Sequence, residues 1–143
     1  MNNYLSNTEM ASLVEAIKQA ENQSTGEIRV HIDSTSVDNN AKVAFDVFKK
    51  LGMDQTKERN AVLFHVNFEK KYLTIIGDKG IHEKVHQKFW NDLHDKITQA
   101  FSEGNYYHGL HNAILETGLE LKNFFPIKDG ENPNELSNEI TFS

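Results

Sequence analysis

The chain has 143 residues, with 15 Lys and Arg against 21 Asp and Glu, a formal charge of −6 and no cysteine. That length supports one domain with a single core. The acidic balance argues against nucleic acid as a partner, and the missing thiols exclude disulfides, thiolate metal sites and cysteine nucleophiles.

Ser6-Asn7-Thr8-Glu9 has capping-box spacing, and Met10, Leu13, Val14, Ile17 and Ala20 follow at helical intervals, predicting a helix over about residues 7–22. No basic stretch followed by an apolar one opens the chain, and no window approaches the roughly 18 apolar residues of a membrane span, so a soluble, cytoplasmic, monomeric protein is expected. Glu27 to Asp33 alternates, with Ile28, Val30 and Ile32 on one face and Glu27, Arg29 and His31 on the other, as in a strand. From Asp38, read as an N-cap, Ala41, Ala44, Phe45, Phe48 and Leu51 mark a second helix that Gly52 closes in a left-handed conformation. The runs Ala61 to Val66 and Tyr72 to Ile76 are close enough to form an antiparallel hairpin.

A third helix is predicted from near Ile81 to Ser102, with Val85, Phe89, Leu93, Ile97, Ala100 and Phe101 on its buried stripe and Gly104 after it. The last helix runs from about Tyr106 to Phe125 and ends before Pro126. The order α-β-α-β-β-α-α calls for an α/β fold, a three-layer α/β/α sandwich whose mixed sheet has about four strands and helices on both faces. Residues 1–126 form the domain; residues 127–143 are a polar tail, expected to be mostly mobile, in which Ile140-Thr141-Phe142 can add a short edge strand.

Hard divalent cations want several oxygens from flexible loops, and three loops supply them. Asp54, Glu58 and Asn60 precede the hairpin, Asp78 and Glu83 flank a Gly-Asp-Lys-Gly turn, and Glu103 and Asn105 separate the last two helices. If these loops meet at one end of the sheet, they form an oxygen-rich cage suited to calcium first and magnesium second. Taken singly, each is more commonly a solvated acid or a helix cap.

Four segments resemble the TPM domain, a family named after a thylakoid-lumen phosphatase, a photosystem-repair protein and a nematode receptor modulator. They are Thr25-Gly26-Glu27-Ile28-Arg29-Val30, Lys57-Glu58-Arg59-Asn60-Ala61-Val62-Leu63, the Gly77 to Ile81 turn, and Gly104-Asn105-Tyr106-Tyr107-His108-Gly109-Leu110. The resemblance implies an α/β/α sandwich, calcium held by loops at one sheet edge, and a phosphatase activity. Ala61 and Asn105 stand where the family usually has glycine and aspartate. The turn after Gly77 is one residue longer, leaving His82 or Glu83 opposite the family's glutamate.

Two other chemistries have local support. His82-Glu83-Lys84-Val85-His86 matches the zinc-peptidase pattern, but Phe89 and Asp92 stand where the extended pattern wants glycine and a third histidine. Asp33 is a candidate base for metal-assisted phosphatase chemistry, against a commoner role as a turn residue that caps Thr35 or Ser36. His31 and His65 read as packed or half-exposed strand residues; His108 and His111 can bind a soft metal incidentally. The expectation is a calcium-ordered TPM module with a regulatory or partner-binding role and an unidentified protein partner, a phosphomonoesterase being the alternative and a zinc peptidase a remote one.

Overall fold

A computed structural model describes residues 4–35, 40–127 and 138–143. The elements follow the predicted order: α1 (Asn7–Glu21), β1 (Glu27–Ile32), α2 (Asn40–Lys50), a 3-10 turn (Met53–Gln55), β2 (Ala61–Asn67), β3 (Tyr72–Gly77), α3 (Lys79–Ser102), α4 (Tyr106–Phe124) and β4 (Thr141–Phe142). Ser6 and Glu9 form the reciprocal capping box. Gly52 and Gly104 take the positive φ that ends or separates helices.

The four strands lie in the order β3-β2-β1-β4, with β1 parallel to β2 and β4, and β2 antiparallel to β3. Three carboxyl ends therefore share one edge. Ile28, Val30, Ile32, Val62, Phe64 and Val66 face a large core completed by α1, α3 and α4, with Leu13, Ile17, Leu93, Ile97, Leu110 and Ile114 among its buried side chains. On the opposite face Phe48 and Met53 pack against Ala61 and Leu63, with Val47, Leu51 and Ile76 beside them. The chain is thus an α/β/α sandwich with three helices on one side and α2 on the other.

Asp38 lies outside the described residues, as does 128–137 of the tail. The structure departs from the sequence reading in α3. α3 begins at Lys79, two residues before Ile81, because the Asp78 carboxylate accepts the Lys79 amide and caps it. α3 also kinks at His86, whose φ of 65° and ψ of 173° are not helical. The polar face of β1 is covered as fully as the apolar one: Glu27, Arg29 and His31 are all buried. The expected edge strand is present, Thr141 and Phe142 pairing parallel to His31 and Ile32. Among the described residues no helix is long and apolar enough to cross a membrane.

Candidate metal centre at the carboxyl ends of β1 and β2

The parallel register sets His31 opposite His65, and the pleat directs both rings to the face that α2 covers. The rings stack with centroids 5.4 Å apart and planes 17° from parallel. Asp33, two residues beyond His31 and so on the same face, is fixed just past the strand by its amide, which donates to the Val66 carbonyl at 2.8 Å. Its Oδ1 accepts from the Thr35 amide at 2.8 Å and the Thr35 hydroxyl at 2.5 Å. This is the turn role expected for Asp33. It leaves Oδ2 facing His65 Nε2 at 3.3 Å.

One ligand atom from each of His31, Asp33 and His65 lies within 4.8 Å of the others. All three are buried, with exposures of 5%, 2% and 1%. Neither ring nitrogen of His65 makes a hydrogen bond; the Asp33 contact is close but poorly aligned. An unsatisfied polar atom at that depth costs on the order of 1–3 kcal/mol, which the Asp33 contact offsets only in part.

Burial holds the His65 imidazole below its ordinary pKa. Burial, then the neighbouring His65, brings His31 down to about 4 against the opposing pull of Asp33. For Asp33 burial acts upward, but the hydroxyl and amide of Thr35 and the two histidines outweigh it and the carboxyl ends below its usual range. At neutral pH the cluster is two neutral imidazoles and one carboxylate, the protonation states that metal ligation requires.

Of the oxygen donors expected from the sequence, the structure brings together those before β2 and after β3. The Gly80 amide donates to the Arg59 carbonyl at 2.7 Å, and a Cβ on Gly80 would lie 2.1 Å from the Glu58 carbonyl oxygen, so the two loops touch backbone to backbone. Buried Asp78 receives Arg59 through Nε at 2.6 Å and Nη2 at 2.8 Å. Fully buried Asn60 donates to the Thr25 hydroxyl, which donates to Glu58. Asp54 lies near Arg59, and Glu83 is exposed on the first turn of α3. Glu103 and Asn105 are elsewhere: α3 spans the sheet, and its far end packs Phe101 and Tyr106 against Phe68, beyond the opposite end of β2. The premise that three loops converge therefore fails for one of them.

The zinc-peptidase spacing also loses its geometry. His82 and His86 do not share a regular helix face because the backbone breaks at His86, and His82 Nδ1 accepts the indole N–H of buried Trp90 at 3.0 Å. The sequence reading passed over His31 and His65 as ligands. The signal present was His31-Ile32-Asp33 at a strand end, where a spacing of two puts both side chains on one face; the third member needed the β1–β2 register.

The sequence matches the TPM domain family over residues 1–118. The chain belongs to that family. No curated protein matches. Among solved structures, the NMR structure of the BA42 protein from the psychrophilic bacterium Bizionia argentinensis is 38% identical, with a TM-score of 0.91 over 100% of this chain and 98% of that one. The N-terminal domain of a protein from P. gingivalis, 18% identical, has a TM-score of 0.71 over 85% of this chain and 78% of that one. An N-terminal domain from Corynebacterium glutamicum, 14% identical, has a TM-score of 0.63 over 82% and 74%. These last two share the fold alone.

Asp33, alone of the TPM triad, also borders a cavity of about 640 Å³ lined by Ser34, by Tyr4, Met10 and Phe68, and by Phe142 and Ser143. It opens at the edge where three strands present their carboxyl ends, the usual place for ligands in an open α/β sheet.

Proposed function

We propose that this TPM domain is a divalent-cation-binding module whose ion is held by His31, Asp33 and His65, with a regulatory or partner-binding role. The observation that carries the reading is His65: a buried imidazole whose nitrogens make no well-aligned hydrogen bond, stacked on a second histidine and facing a carboxylate. Two imidazoles and one carboxylate suit zinc and neighbouring transition metals. Calcium, the ion implied by the family resemblance, takes six to eight oxygens and would find one carboxylate here; its place would be the loops around Asp54, Glu58, Asn60, Asp78 and Glu83.

Backbone amide NMR of chelator-treated protein during titration with zinc, calcium and magnesium tests the reading. Saturable zinc shifts centred on residues 31–35 and 65 support it. Shifts confined to residues 53–60 and 77–83 with calcium would move the site to the loops, and no saturable response to any of the three ions would sink it.

The cavity next to Asp33 favours one second reading, a metal-assisted phosphomonoesterase. A bound ion there would supply Lewis-acid chemistry, and the chain would contribute an enclosed space beside it. Hydrolysis of para-nitrophenyl phosphate by zinc-loaded but not chelator-treated protein supports that reading, and absence of turnover in both forms rejects it.

A further inference from the structure

We propose that the segment carrying β4 is a latch over the metal centre, in which Thr141 orients His31 and Ser143 occupies the ring nitrogen that the metal would take, so that metal binding and release of residue 143 are coupled. The coupling rests on the metal reading above; the latch does not.

His31 Nδ1 lies 2.7 Å from the Thr141 hydroxyl, and Nε2 lies 2.6 Å from the Ser143 hydroxyl. The latch places the ring proton on Nδ1. Thr141 then accepts it, which leaves its own hydroxyl proton for the Val30 carbonyl at 3.5 Å, and the Nε2 lone pair accepts from Ser143. A metal-ligating histidine is ordinarily held this way, with its other N–H given to a fixed outer partner. Thr141 supplies that partner from an element more than a hundred residues away in sequence. The ligating position is covered by one side chain, Ser143.

What holds Ser143 is short and local. Its amide donates to the Ile32 carbonyl at 2.9 Å, and its carbonyl accepts from the Ser34 amide at 2.8 Å and the Ser34 hydroxyl at 3.1 Å. These bonds bracket Asp33 on both sides. β4 has only two residues and Phe142 is 55% exposed; half-buried Ile140 packs on the main core just before the strand, so residue 143 lies beyond the segment's apolar anchor. Segments secured by a few hydrogen bonds and little buried area are those that open locally. Phe142 and Ser143 also form one wall of the cavity beside Asp33, so release of the latch widens that cavity at the edge where the ligands converge. Because coupling is reciprocal, anything that draws residue 143 away raises metal affinity by the factor with which metal loosens the latch.

The test uses the full chain, zinc chloride and two readouts, calorimetric affinity and amide hydrogen exchange at Ser143 and Ser34. Ser143→Ala removes the competing hydroxyl and should tighten zinc binding about 3- to 10-fold, the worth of one neutral hydrogen bond. Thr141→Val keeps the side-chain shape but loses the outer partner, and should weaken binding about 10- to 100-fold. Saturating zinc should speed exchange at the Ser143 amide in the wild-type chain. Weaker binding in Ser143→Ala, or unchanged exchange at Ser143 with zinc bound, would overturn the coupling. Metal-free His31→Gln separates the latch from the metal: faster exchange at Ser143 supports the latch, and unchanged exchange overturns it. If zinc fails to bind the wild-type chain, or binds His65→Leu equally well, the metal reading falls, and the metal-free comparison still decides the latch.

Discussion

The two ends of the sheet handle buried polar groups in opposite ways. Where β1 and β2 begin, charge is neutralised: Arg59 clamps Asp78 through two nitrogens, Asn60, Thr25 and Glu58 pass hydrogen bonds along a line, and Glu21, whose carboxylate oxygen accepts the Ile28 amide, is pushed up to about 9 by burial and then by Glu27. Where the same strands end, His31 is held by Thr141 and Ser143 and Asp33 by Thr35, while the ring nitrogens of His65 are left with only the poorly aligned Asp33 contact. The first arrangement stabilises a junction between loops. The second leaves one buried imidazole under-satisfied, a cost that a bound cation would offset.

The largest effect should come from breaking that asymmetry at the carboxyl end. His65→Leu removes one of three ligands and should lower zinc affinity by ~100-fold or more, read by calorimetry. The same substitution replaces an under-satisfied buried imidazole with an apolar group of similar size, so the metal-free protein should gain on the order of 1 kcal/mol in a urea titration. A loss of stability instead would mean that the His65–Asp33 contact is a productive one.

At the other end the expected effect is on folding and not on zinc. Gly80→Ala drives a Cβ into the Glu58 and Arg59 carbonyls, where neither backbone atom can yield cheaply. It should cost about 1–3 kcal/mol and leave zinc affinity within about twofold. A changed affinity would show that the two ends communicate through β1 and β2.

Much of the scaffold could be read locally. The capping box at Ser6 and Glu9, the left-handed Gly52, the hairpin between Asn67 and Tyr72 and even the edge strand at Thr141 depend on spacings of a few residues, and the structure contains them all. The site could not be read that way. His31 and His65 meet only through a parallel register with α2 between them in sequence, and their burial depends on the cover α2 places over that face. The local match at His82 to His86 misled because a helical spacing is meaningful only while the helix is regular, and the backbone at His86 is not. For the oxygen donors the residue types were right for a cation, but α3 carries Glu103 and Asn105 to the far end of the sheet.

The disposal of charge at the amino end also predicts a pH dependence. Glu21 has its folded pKa raised from 4.5 to about 9, with burial the larger cause and Glu27 the next. The unfolded chain releases this proton first as pH rises, so the stabilisation is complete below about 4.5 and is lost progressively as pH climbs toward 9. Glu21→Gln should flatten that alkaline decline in thermal melts recorded between pH 5 and 9. An unchanged slope would place the proton elsewhere in the group formed with Glu27 and Arg29.

The smallest effect discriminates most finely between the two ends. Asp78 does two things at once, accepting the Lys79 amide as a helix cap and receiving the Arg59 guanidinium. Asp78→Asn keeps an oxygen for the cap and loses the charge, whereas Asp78→Ala loses both. The difference between the two variants isolates the cap, and about 1 kcal/mol is expected in chemical denaturation. Neither should alter zinc binding. Calcium provides the opposing arm: if the loops bind it through Asp78, as the family resemblance implies, Asp78→Asn must weaken calcium binding while leaving the fold intact. In that case Arg59 would have to swing off the carboxylate to admit the ion, so its side-chain NMR signals should shift in step with the titration.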